Sequence, residues 1–157
     1  MIVRQLQALR GGVADTSTLI YLERLALLPL ALDAFDLLLI PQVIAEYGLR
    51  LARAIVVPAS GTGPTDQLIC GTAQALARPV LSEDRQVLRY ACRLDLDHYN
   101  TLMLVLALCA QRYLPLASYP AHRQSLCVFA RYGAKVLAVG DAVYRELLAQ
   151  TGNRKTA

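Results

Sequence analysis

Leu37-Leu38-Leu39-Ile40 is a continuous apolar run of four residues, too short for a helix and without the alternation of a half-exposed strand. A run of this length reads as a strand. Pro79-Val80-Leu81-Ser82 reads the same way, Val13-Ala14-Asp15 as the end of a first short strand, and Ile55-Val56-Val57 as another. Helical segments fall between them. Thr16 and Ser17 are expected to cap a helix carrying Leu19, Ile20, Leu22, Leu25 and Leu28, which Pro29 interrupts before a second short helix to about Phe35. Pro41 and Pro64 each stand where a helix opens. The first carries Val43, Ile44, Tyr47 and Leu51, with Gly48 interrupting it at about 1 kcal/mol against alanine. The second runs to about Ala77, and another helix spans about Asp84 to Arg93. Leu94-Asp95-Leu96 is expected as the last strand. From about Asn100 to Gln150 the chain reads as helical, with breaks near Pro115, Pro120 and Gly133 to Gly140. Strands alternating with helices imply an α/β domain with a mainly parallel sheet.

A chain of 157 residues suits one domain, and a 55% hydrophobic composition excludes general disorder. The same apolar content raises a membrane question. A spanning helix needs about 20 consecutive apolar residues, and Leu102 to Ala110 and Leu25 to Leu32 are far shorter. Both read as buried helices. The N-terminus has no signal-peptide pattern, so a cytoplasmic protein is expected. Cys70, Cys92, Cys109 and Cys127 form no C-x-x-C motif and no zinc spacing. Each lies in an apolar stretch and is expected to be a buried free thiol. Of the 16 basic residues, 14 are Arg, whose planar fork suits phosphate, although a compositional bias in the coding sequence explains the count equally well. Residual apolar surface points to a homo-oligomer or a partner interface.

Ligands of open α/β sheets bind beyond the carboxyl ends of the strands. Only 12 residues are acidic, and four fall in places that bear on that edge. Asp15 ends the first strand, and Glu46 lies on the flank of the apolar stripe after Pro41. Asp66 sits in the first turn after Pro64, and Asp84 follows the strand ending at Ser82, with Glu83 beside it. Singly, each has an ordinary use: a helix cap, a boundary glutamate, or a charge favoured by the helix dipole. Together they are different. Four converging carboxylates repel one another and are tolerated where divalent cations neutralise them, and all-oxygen ligands suit Mg²⁺ or Mn²⁺. Such a site activates water and stabilises charge on a phosphodiester.

VADTSTLIYLERL from Val13, IPQVIAEYG from Ile40 and TDQLICGTAQALARPVLSEDRQVLRYA from Thr65 resemble the three signature regions of PIN-domain nucleases. The resemblance spans about Val13 to Gly152 and includes the 18-residue step from Asp66 to Asp84. It implies a PIN-like three-layer α/β/α domain over residues 13–150, after an extension of residues 1–12; the residues themselves read as a disordered tail over 151–157. It also implies a Mg²⁺- or Mn²⁺-dependent ribonuclease, often the VapC-type toxin of a toxin–antitoxin pair, with RNA as substrate and an antitoxin protein as partner. Asp15, Glu46, Asp66 and Asp84 would be its metal-binding and catalytic acids. The hydroxyls of Ser82 and Ser17 would orient carboxylates or contact the scissile phosphate.

Other uses of these residues fare worse. A phosphoacceptor receiver domain needs a Lys at the sheet edge, and the one internal candidate, Lys135, lies in a helical region. A haloacid-dehalogenase phosphatase wants Asp-x-Asp-x-Thr, and position 17 is Ser. His98 and His122 are in no nucleophile motif. The serious alternative is a non-catalytic domain that binds RNA or protein. Tyr90, Tyr99 and Tyr113 interleave with Arg85, Arg89, Arg93 and Arg112, a mixture that stacks bases and holds phosphates. Arg85 and Arg89 are one helical turn apart beside Asp84 and are the preferred phosphate contacts.

Overall fold

Leu37, Leu38 and Leu39 are buried in a strand, as an unbroken apolar run requires. In the computed structural model, which describes residues 2–155, five strands form one sheet. They are β1 (Gly11–Ala14), β2 (Asp36–Leu39), β3 (Ile55–Val56), β4 (Val80–Leu81) and β5 (His98–Tyr99). All pair in parallel, in the order β3-β2-β1-β4-β5. Val13 is central, in register with Leu38 on one side and Val80 on the other.

The connections are α2 (Thr16–Arg24) and α3 (Leu28–Ala34), then α4 (Pro41–Tyr47), α5 (Thr65–Leu76) and α6 (Arg85–Arg93), with α1 (Ile2–Ala8) ahead of β1. Strand order runs outward from β1 to β3 and then outward the other way through β4 to β5. Right-handed crossovers therefore put α2, α3 and α4 on one face and α5 and α6 on the other. The packing agrees, since α2 meets α3 and α4 while α5 meets α6, β1 and β4. The fold is a three-layer α/β/α sandwich.

Chain contacts define two compact units, the first being Arg10–Thr101, which holds the sheet and α2 to α6. The second joins the segment through Leu9 to the chain from Leu102 onward. It is helical, with α1, α7 (Thr101–Ala110), a 3-10 turn at Leu116–Ser118, α8 (Tyr119–Phe129) and α9 (Ala134–Lys155). Helix α7 is apolar on every side, and Leu102, Leu104, Val105, Leu106 and Leu108 are all fully buried. Among the described residues, no helix is long and apolar enough to cross a membrane.

Several local expectations need correction. Leu94-Asp95-Leu96 is not a strand: the amides of these residues bond back to Tyr90, Ala91 and Cys92, with Asp95 left-handed, so none remains for a ladder. The last strand is instead His98–Tyr99. Helix α2 stops at Arg24, where Ala26 turns left-handed, and Pro29 lies in the first turn of α3. Gly48 does not interrupt its helix; it ends α4 as a left-handed cap with φ +81°, which glycine adopts without strain. Nor is there a break at Gly140. Helix α9 passes through it, and Leu102 and Tyr119 pack where a side chain would be. Residues 151–155 continue α9 rather than starting a disordered tail; Thr156 and Ala157 lie outside the described residues. Cys70 and Cys109 are buried free thiols, whereas Cys92 and Cys127 are exposed.

Candidate acidic site at the carboxyl ends of the strands

Strand order reverses between β1 and β4, and ligand sites of open α/β sheets form at such a switch point. Asp15 stands there. Its N–H donates to the Leu81 carbonyl at 2.8 Å, which seats it at the end of the central strand. It is also the N-cap of α2, a role expected of Thr16 and Ser17. Oδ1 accepts from the Thr16 N–H at 2.8 Å, while Oδ2 accepts from the Ser82 hydroxyl at 2.8 Å and the Ser17 hydroxyl at 3.3 Å. With 8% of its surface exposed, this carboxylate is held by donors on both oxygens.

The two serines extend the network across the switch point. Ser82 Oγ accepts from the Asp84 N–H at 3.0 Å, and Ser17 Oγ accepts from the Glu83 N–H at 3.1 Å. The turn after β4 is thereby tied to the turn after β1. Asp84 caps α6, its Oδ1 accepting from the Gln86 N–H at 2.7 Å. Glu83 stands just before that cap. Its carboxylate accepts from the Thr101 N–H at the first residue of α7, a use that nothing in the local pattern signals.

Asp66 is half-buried in the first turn of α5, and Glu46 is exposed on α4. No hydrogen bond among the described residues joins either to the Asp15 network. They are coupled to it through charge. Burial, and then the carboxylates of Asp84, Asp15 and Glu46, push the Asp66 carboxyl above the usual range. One turn further on, burial and then Asp66 and Asp15 push the Cys70 thiol up to about 11, so it stays protonated and unreactive at neutral pH. Arg85 and Arg89 lie exposed on α6 beyond the Asp84 cap.

In donor chemistry the set fits a hard divalent cation: all four acids are carboxylates, and three of them make the fourth harder to ionise. The side-chain placement is looser. Among the described residues, no three His, Cys, Asp or Glu side chains come close enough together to hold one metal ion. Asp15 and Asp84 each also accept from an amide at the start of their own helix.

Burial and repulsion at Asp66 have a measurable consequence. The fold favours protonated Asp66, so the native state keeps that proton to higher pH than the unfolded chain does. The resulting stabilisation is present at acid pH and is lost as pH rises through the raised native value. Asp66→Asn is therefore expected to raise Tm at pH 7 in chelator, and to raise it less at acid pH. Thermal melts at the two pH values check this, and a lower Tm for the variant at pH 7 contradicts it.

No protein-family model matches the chain, and no curated protein matches it.

Proposed function

We propose that this chain is a PIN-type endoribonuclease that hydrolyses RNA phosphodiesters with Mg²⁺ or Mn²⁺. The observation supporting this reading is the charge coupling of Asp66 to Asp15, Glu46 and Asp84 at the carboxyl ends of a parallel sheet. Asp15, Glu46, Asp66 and Asp84 would hold the cation. When bound, it supplies charge neutralisation at the scissile phosphate and activation of water. Ser82 and Ser17 fix the Asp15 carboxylate by donating to Oδ2. Arg85 and Arg89 are the residues proposed to hold flanking phosphates of the strand. A purified-protein assay on RNA with Mn²⁺, with and without chelator, tests the proposal. Cleavage that needs the metal is expected; equal cleavage in chelator and by an Asp15→Asn variant sinks it.

A second reading, RNA or protein binding without cleavage, is favoured by the absence of three meeting acids among the described residues. RNA bound tightly and left intact under every divalent metal would decide for it. A toxin role with an antitoxin partner is a further proposal resting on the resemblance. Growth arrest on expression, relieved by the product of a small neighbouring gene, is its test.

A further inference from the structure

We propose that the helical unit carries a second site, a cavity that takes a nucleotide unit with its phosphate on Arg112, Arg154 and Lys155 and its base against Tyr113. The cavity has a volume of about 980 Å³ and lies between α1, the turn after α7 and the end of α9. Ligand pockets run to about 1,000 Å³, so a nucleotide fits with room to spare. Arg112, Arg154 and Lys155 supply three cations to the lining, and no lining residue is Asp or Glu. Among the described residues, none of the three makes an ion pair.

Basic residues at helix ends often only offset the carbonyl dipole. Arg154 and Lys155 stand in the last turn of α9 and meet that dipole, whereas Arg112 lies beyond the end of α7, and neutral side chains of the same lining bond to other carbonyls. Gln111 Nε2 donates to the Leu6 and Leu9 carbonyls, both at 2.8 Å, at the end of α1. Thr151 Oγ1 donates to the Leu147 carbonyl at 3.0 Å in α9. The three cations share one lining that holds no acid to neutralise them. Tyr113 adds a ring with 45% of its surface exposed, on a turn set by the left-handed Arg112 and a bond from the Tyr113 N–H to the Leu108 carbonyl. Gln7 and Gln150 meet only at 3.5 Å, a long contact that leaves amide capacity for the polar edge of a base. Cations beside an exposed ring recognise phosphate and base together. A single-stranded RNA and a free mononucleotide both offer that chemistry.

The test uses the full chain carrying Asp15→Asn, in chelator, with a short labelled single-stranded RNA, AMP and inorganic phosphate as probes. Binding of the RNA is expected; displacement by AMP assigns the site to free nucleotides, and failure of AMP to displace assigns it to the strand. Replacing Arg154 and Lys155 with Ala and Arg112 with Gly is expected to weaken binding at least ~10-fold and to flatten its salt dependence by about one per cation removed. Arg112→Gly adds no strain, since the residue is left-handed at φ +66°. Tyr113→Leu is expected to cost roughly 5-fold or more, and Tyr113→Phe little, because the ring is kept. The proposal is overturned if neither RNA nor AMP binds, or if the cation variants bind as tightly as the parent. It is equally overturned if inorganic phosphate competes as well as AMP while Tyr113→Leu has no effect.

Discussion

Gly12→Ala is expected to cost about 3 kcal/mol of stability or more, at or beyond the upper end of the usual overpacking penalty. A Cβ at this position would lie 2.4 Å from the Pro79 carbonyl oxygen, 3.0 Å from its carbon and 3.3 Å from Leu81 Cγ. Atoms do not approach so closely, so something must move. A flexible side chain could yield, but the nearest atoms belong to backbone. The same Pro79 oxygen accepts from the Val13 N–H at 2.9 Å and so begins the pairing of β1 with β4. Displacing it opens the ladder at the centre of the sheet and unseats Asp15 three residues on. Urea denaturation measures the effect, and a midpoint equal to that of the parent would refute the close approach of β1 and β4.

Asp15 carries the second large effect, and two variants separate its roles. Asp15→Ala removes the cap of α2, worth about 0.5–2 kcal/mol, and leaves the Ser82 and Ser17 hydroxyls without their acceptor. A buried donor left unsatisfied costs about 1–3 kcal/mol. Together these give an expected loss of roughly 2–4 kcal/mol, less than their simple sum because either serine can rotate. Asp15→Asn keeps one oxygen acceptor and a good capping residue, so it is expected to cost only about 1 kcal/mol. Both variants lack the charge, and both should lose RNA cleavage by at least about 100-fold, since even outer-shell partners of a metal site are worth 10–100-fold. A stable Asp15→Asn protein that still cleaves would leave Asp15 with a capping role only.

Much of this arrangement is legible in the residues. The four-residue apolar run at Leu37 and the short one at Val80 mark the two neighbours of the central strand, because burial on both faces leaves no room for polar alternation. Proline locates α4, which Pro41 opens, and α5, which Pro64 caps, since a fixed φ and a missing N–H are tolerated at a helix start but not in its interior. The central strand itself is harder to read. Gly11 and Gly12 open it, and they matter for what they lack, which no hydrophobic pattern registers. The last strand is missed because Leu94 and Leu96 look like strand residues until the end of α6 claims their amides. At the site, Asp15 and Asp84 are helix caps as well as candidate ligands, so the ordinary and the functional readings of one residue coexist. Glu83 shows the opposite limit: its partner, Thr101, is distant in sequence and leaves no local trace.

Whether Asp15, Glu46, Asp66 and Asp84 form one cation site is tested most directly by titrating the full chain with Mn²⁺ and following the free ion by electron paramagnetic resonance. The parent protein is expected to bind Mn²⁺, and Asp15→Asn, Asp66→Asn and Asp84→Asn are each expected to weaken binding at least ~10-fold, with RNA cleavage falling in parallel. A parent that binds no Mn²⁺, or variants that bind it as tightly as the parent does, would contradict the site.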